Sequence, residues 1–287
     1  MEIGLGISPA AIPNGDPVGE ARMAEDLGFD FVSTNDHLHG PSPTLEPWTT
    51  LSWVGAATSR IKMATRVMGV PYRNPAVVAK MAETFDRLSA GRLILGLGAG
   101  AVDEEFRAFG LGDLSARDKV DGLEEAIHIL RGLWSAGSFT FAGRFHRTME
   151  AQLEPKPGHS IPIWLGTYGP RMLALTGRLA DGWIPSLGYA PPEQIPSMRE
   201  QVIKAATDAG RRPEDLTCVY NVEIRVEDRG TPEVELSGPA GALVERLVGL
   251  TELGFSGFNL IPAGPDRLQQ VDRLGREVLP ALRTALD

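Results

Sequence analysis

A chain of 287 residues that is 43% hydrophobic can bury about three quarters of its unfolded surface around one core, without disulfides or structural metal. With 28 Lys and Arg against 37 Asp and Glu, a formal charge of -9 argues against a general nucleic-acid surface, which needs clustered cations. A single cysteine, Cys218, excludes an intrachain disulfide framework and a zinc ribbon; lacking a basic leader and any apolar run near the ~20 residues of a membrane span, the chain reads as cytoplasmic.

In chain order, strands are expected at 3–8, 30–34, 61–67, 92–98, 161–166, 182–185, 217–225 and 257–261. Helices are expected at 17–27, 46–58, 75–89, 103–109, 117–135, 170–179, 192–209, 239–253 and 266–286, with 136–160 and 226–238 as loop insertions. The stretch from Arg60 to Gly110 is the clearest. Asn74-Pro75 suits a helix start as cap and first residue, and Val77, Val78, Met81, Phe85 and Leu88 share one helical face. Gly91 stops that helix, and Arg92 to Gly98 is apolar enough to be a strand covered on both sides. A β-α-β unit results. Alternation of this kind over the whole chain admits a TIM barrel or a doubly wound sheet; eight strands, with Gly28, Gly91 and Gly254 each ending a helix before the next strand, favour a single (β/α)8 barrel over residues 1–287 with short insertion loops. Ligand chemistry then belongs at the carboxyl ends of the strands.

Several candidates fall there. Gly96-Leu97-Gly98-Ala99-Gly100-Ala101 fits a dinucleotide fingerprint in spacing, but Asp103, Glu104 and Glu105 occupy the following helix's first turn, where they would repel a pyrophosphate and suit a cap better. Gly98 and Gly100 thus belong either to a close-packed turn or to one that also passes near a cofactor. Gly166-Thr167-Tyr168-Gly169-Pro170-Arg171 leads into a helix N-terminus, where free N–H groups and a guanidinium suit a phosphate; the alternative is an ordinary turn with an exposed arginine. His37 is a proton donor or acceptor, or a loop cap, and Asp36 orients it or holds a turn. His39, His128, His146 and His159 lack metal-ligand spacing. Trp164, Trp183 and Cys218 read as core.

Asn35-Asp36-His37 after the second strand, Pro71-Tyr72-Arg73-Asn74-Pro75 after the third and Gly98-Ala99-Gly100 with Glu105-Phe106 and Gly110 after the fourth form an ordered set. Leu153-Glu154-Pro155-Lys156-Pro157, Pro162-Ile163-Trp164-Leu165-Gly166, Pro170-Arg171 and Ala180-Asp181-Gly182-Trp183 continue it. Together they resemble the luciferase-like monooxygenase superfamily, which uses FMN or the deazaflavin coenzyme F420 on a TIM barrel, and the Asp36-His37 pair resembles the F420-dependent branch. The resemblance implies hydride transfer between F420 and a small organic substrate, with Asp36 and His37 near the ring. It also implies a cis Arg66-Val67 peptide backing the ring's face, and a phosphate tail held by Gly166, Thr167, Tyr168, Gly169 and Arg171. A homodimer is implied as well. Arg66 stands where a small residue is expected and Ala101 where an aromatic one is common; short loops at 188–192 and 226–238 imply an open site. The rival functions are an FMN-dependent monooxygenase and a non-catalytic flavin-binding barrel.

Overall fold

In the computed structural model, which describes residues 1–12 and 15–286, parallel strands close into a ring. They are β1 (Glu2–Gly6), β2 (Phe31–Thr34), β3 (Lys62–Thr65), β4 (Leu93–Gly98), β5 (Ile163–Leu165), β6 (Gly182–Trp183), β7 (Thr217–Val226) and β8 (Gly257–Pro262). Each pairs with the next, and β8 returns to β1 through Gly4↔Asn259. This is the (β/α)8 barrel, not the doubly wound sheet.

The connecting helices are α1 (Pro17–Leu27), α2 (Pro47–Ala57), α3 (Pro75–Leu88), α4 (Asp103–Ala108), α5 (Ala116–Ser135), α6 (Pro170–Leu179), α7 (Ile195–Asp208) and α8 (Ala240–Thr251). Helix α3 starts as its residues dictate: Asn74 Oδ1 accepts from Ala76 N at 2.9 Å, with Pro75 in first position. The C-terminal segment, expected as one helix, is instead α9 (Arg267–Arg273), a π-helical stretch Leu274–Val278 and α10 (Leu279–Leu286). Pro280 has no N–H to donate to the turn before it, which accounts for the change of winding there. The segment 136–160, expected as a loop, carries an antiparallel hairpin, Phe139–Ala142 with Arg147–Ala151. In 226–238 a short strand, Leu236–Gly238, adds to β7.

Side chains alternate along each strand, so the barrel fills in layers. Phe31, Ala64, Ile94, Trp164, Ile184 and Val219 form an apolar cluster separate from the larger one beneath the helices. Within it Phe31 meets Trp164 edge to face at 5.6 Å, and the Phe31 ring occupies the place a side chain on Gly4 would take. Two residues further along their strands, a polar layer begins. Ser33 Oγ donates to Asn259 Oδ1 (3.0 Å), Asn259 Nδ2 to Asn221 Oδ1 (2.8 Å) and Asn221 Nδ2 to the Pro185 carbonyl (3.1 Å). The lumen is therefore plugged by apolar side chains under this layer, and polar chemistry collects at the strands' carboxyl ends. Trp164, Trp183 and Cys218 are buried, as read from the sequence.

Candidate active site

Strand β3 breaks at the mouth of the barrel. It pairs with β2 as far as Thr34↔Thr65, Arg66 N donates to Thr34 O at 2.8 Å, and the Arg66–Val67 peptide is cis. Met68–Gly69 then resumes the strand on β4 instead, with Gly69 opposite Gly98. The shift presses β3 onto β4, and Thr65 Oγ1 donates to Gly96 O at 2.7 Å. A β-carbon on Gly96 would collide with Thr65 O; on Gly98 it would lie 2.7 Å from Val67 Cγ2, and on Gly166 about 3.1 Å from the same methyl. Gly100 has φ +87°, and the Phe106 ring lies where its side chain would start. Close packing thus accounts for these glycines. They also leave the half-buried Val67 as an apolar floor between β4 and β5, a cradle that added β-carbons would fill.

Asp36, at the end of β2, is buried and fully engaged. It accepts from Arg73 Nη1 (2.6 Å) and Nη2 (3.1 Å) and from Gly69 N (3.0 Å), so it fixes the chain just after the bulge. Arg73 also reaches Glu46 Oε1 at 2.5 Å, and Glu46 caps α2 by accepting from Trp48 N and Thr49 N. Burial works against both charges, yet the carboxylates hold the Arg73 guanidinium above its ordinary range, and the hydrogen bonds from Thr49, Trp48 and Arg73 hold Glu46 below its own.

His37 is half exposed, and its Nδ1 lies 3.0 Å from Oε1 of the buried Glu105. Because a carboxylate only accepts, the imidazole donates from Nδ1, and Nε2 is left for a ligand. The Tyr72 hydroxyl donates to the other oxygen of Glu105. Burial, with the Glu105 hydrogen bond and charge added, pushes the Tyr72 phenol upward. Glu105 is therefore no helix cap. It lies in the first turn of α4, as its position suggested, but it turns inward to clamp His37 and Tyr72. Sequence reasoning missed Glu105, Tyr72, Arg73 and Glu46 as site residues; Tyr72-Arg73 stood inside a motif, but nothing in the spacing disclosed the contact with Glu105.

In the turn from β5 to α6 the residues divide. Thr167 faces inward: its hydroxyl pairs with that of Thr176 at 2.8 Å and its carbonyl accepts from Trp183 Nε1 at 3.0 Å. Gly169 precedes α6 with open space where a β-carbon would sit. The Tyr168 hydroxyl accepts from Ser186 N at 3.2 Å, and its ring meets that of Tyr189 at 5.6 Å. Arg171 is exposed and pairs with Asp121 Oδ1 at 2.5 Å.

A family model described as luciferase-like monooxygenase matches residues 5–234. The chain belongs to this family. A relative from Nakamurella multipartita, named F420-dependent glucose-6-phosphate dehydrogenase, is 33% identical across 71% of this chain and 61% of its own length; the chain therefore spans about three fifths of that relative. One of the same name from Microbacterium testaceum is 27% identical over 91% of each chain. Among solved structures, an F420-dependent secondary alcohol dehydrogenase in complex with an F420-acetone adduct superposes with a TM-score of 0.89 at 22% identity, covering 98% of this chain and 99% of that one. The cis Arg66–Val67 peptide implied by the family resemblance is present in the bulge of β3.

Proposed function

We propose that this family member is an F420-dependent oxidoreductase acting on a small organic substrate, as one (β/α)8 unit. The F420-dependent relatives support the cofactor, and the observation that carries the chemistry is His37, held through Nδ1 by buried Glu105 at the mouth of the barrel. The residues present fit the group: Val67 offers an apolar floor that Gly98 and Gly166 keep clear, and the N-terminus of α6 with Arg171 suits a phosphate tail. Gly100, Thr167 and Tyr168 shape the same rim from beneath.

When bound, the deazaflavin supplies the hydride donor or acceptor. The protein supplies position and a proton site. His37 Nε2 takes the proton from a substrate hydroxyl, or gives it to a carbonyl, while Glu105 fixes the ring's orientation and Tyr72 fixes Glu105. Asp36 acts through Arg73 and Gly69 by holding the bulge in place; it is a positioning residue. Fluorescence titration of the apoprotein with oxidised F420, FMN and NADP tests the reading. F420 should bind more tightly than FMN, with no NADP binding in that pocket. Tighter FMN binding would make a monooxygenase the better reading, and F420 binding without turnover across a broad substrate panel would leave a binding protein.

We also propose a homodimer, supported by the apolar groove between α2 and α3, which lies on the outer wall away from the strand ends.

A further inference from the structure

We propose that Arg66 is an oxyanion receptor over the barrel axis, so that the substrate handled at His37 carries a carboxylate or phosphate. The substrate assignment rests on the oxidoreductase reading; the anion site itself does not.

Other arginines near the strand ends are saturated by the protein. Arg73 grips Asp36 and Glu46, and Arg225 bonds Asp266, Glu227 and the Ala263 carbonyl. Arg267 bonds Glu20 and the Gly6 and Pro262 carbonyls. Buried Arg92, at the opposite end of β4, gives its donors to Ser89, Gly55, Thr58 and Ile61. The Arg66 side chain makes no hydrogen bond or ion pair with any described residue, and its Nε is sealed from solvent. It follows Ala64, a lumen residue, by two positions and so projects inward at the mouth. Burial and then the charge of Arg267 push the guanidinium down to about 10, with only the Tyr168 phenol acting the other way. At neutral pH it remains a cation. Arg199 also has a buried, unpartnered Nε, but on α7, outside the barrel.

Arg66 is half-buried: its Nε is sealed and unpartnered, while the end of the fork faces the open mouth; a structural arginine satisfies its donors with carbonyls, as Arg92 does. The guanidinium's flat fork matches a carboxylate or phosphate with two parallel hydrogen bonds. A cofactor tail carries the same chemistry. Its proposed seat, however, is at the N-terminus of α6, where Arg171 faces α5 through Asp121; Arg66 stands on the bulge of β3, near enough for the Tyr168 phenol to act on it but on the lumen face two residues after Ala64. The anion at Arg66 is assigned to the substrate, and the F420 arms of the test decide between the two.

The test uses the whole chain with inorganic phosphate as probe, against chloride at matched ionic strength, followed by calorimetry and melting temperature in wild type, Arg66→Met, Arg171→Ala, and Arg171→Ala combined with Arg66→Lys or with Arg66→Met. In the Arg171→Ala background, which removes the cation of the proposed tail seat, phosphate should bind, should bind less well once Arg66→Lys is added and should not bind once Arg66→Met is added. Without phosphate, Arg66→Met should melt within about 2 °C of wild type, because Arg66 makes no side-chain hydrogen bond within the described chain that the substitution would remove. Its F420 dissociation constant should stay within about threefold of wild type, and phosphate should bind Arg171→Ala equally with and without F420. Phosphate binding retained when Arg66→Met is added to Arg171→Ala, or a melting temperature lowered by more than about 4 °C in Arg66→Met, overturns the anion site. F420 that displaces phosphate from Arg171→Ala, or binds more than about tenfold weaker to Arg66→Met, returns Arg66 to the cofactor and overturns the substrate assignment. Failure of wild type to bind F420 while phosphate still binds through Arg66 would defeat the cofactor reading alone.

Discussion

At His37 two facts set its use: the imidazole is half exposed, and one nitrogen is tied to a carboxylate that is not. Replacing His37 by Ala should lower turnover by about 10²- to 10⁴-fold, the usual range for lost proton transfer, with F420 affinity within about threefold. Glu105→Gln should lower kcat less than His37→Ala does, since the amide can still meet Nδ1 but with the wrong donor pattern. Steady-state kinetics beside cofactor titration separates the two effects; a His37→Ala enzyme with unchanged kcat would make His37 a loop residue. Arg171 calls for a different magnitude. Its bond to Asp121 is exposed, and such pairs contribute no more than about 1 kcal/mol, so a phosphate can replace Asp121 readily. Arg171→Ala should raise the F420 dissociation constant several-fold to about thirtyfold, and unchanged affinity removes it from the site. His37 was legible in the sequence because it ends a strand of a barrel. Glu105 was not, because Asp103-Glu104-Glu105 looks like ordinary helix-start acidity until the fold brings α4 beside the loop after β2.

Among the elements, what the sequence disclosed was whatever depends on neighbours along the chain. Caps such as Asn74, helix stops such as Gly28 (φ 90°) and the eight barrel strands follow from local rules. The hairpin at 139–151 was hidden because it packs on α5 rather than joining the barrel, with Gly132 leaving room for the Phe139 ring. The glycines of β4 were visible, yet their reason was not: they admit the displaced β3, a contact no spacing reveals. Asp36 binds these parts together, so Asp36→Ala should cost about 3–5 kcal/mol by leaving Arg73 without its buried partner, read as a fall in denaturation midpoint. A second joint lies at the opposite end of the barrel. Glu25, near the end of α1, accepts from the N–H groups of Ser59, Arg60 and Ile61; burial opposes its charge, but those bonds prevail and lower its carboxyl to about 2 from 4.5. A depressed pKa contributes stability that is present above 4.5 and lost as pH falls toward 2. Glu25→Gln should be less stable than wild type near neutrality, by on the order of 1 kcal/mol after solvent screening, and the gap should close between those two values. A gap that does not change with pH would show that the charge at Glu25 contributes nothing.

For the molecule as a whole, the strand ends and the outer wall present opposite characters. At the mouth Arg73 and Arg267 are matched by Asp36, Glu46 and Glu20, which leaves Arg66 as the cation there that no described carboxylate meets. The groove between α2 and α3 is apolar instead, lined by Trp48, Val77, Met81, Phe85 and Leu88. Val77 is 56% exposed and Leu88 84%. Large side chains so exposed and so close together mark a surface that gains by being covered, and a second copy of the same wall would meet it with matching chemistry, as a two-fold interface requires. Light scattering should therefore give twice the chain mass, and Val77→Asp with Leu88→Asp should give the mass of one chain, since two carboxylates would have to be buried against apolar surface. Cofactor affinity should change by less than about threefold in that variant. The tie from α2 to the site, Glu46 to Arg73 to Asp36, lies wholly within one chain, so separating the copies leaves the bulge of β3 held as before. A double variant that remains paired would assign dimerisation to another face, and one that loses F420 along with its partner would show that the wall supports the mouth across the interface.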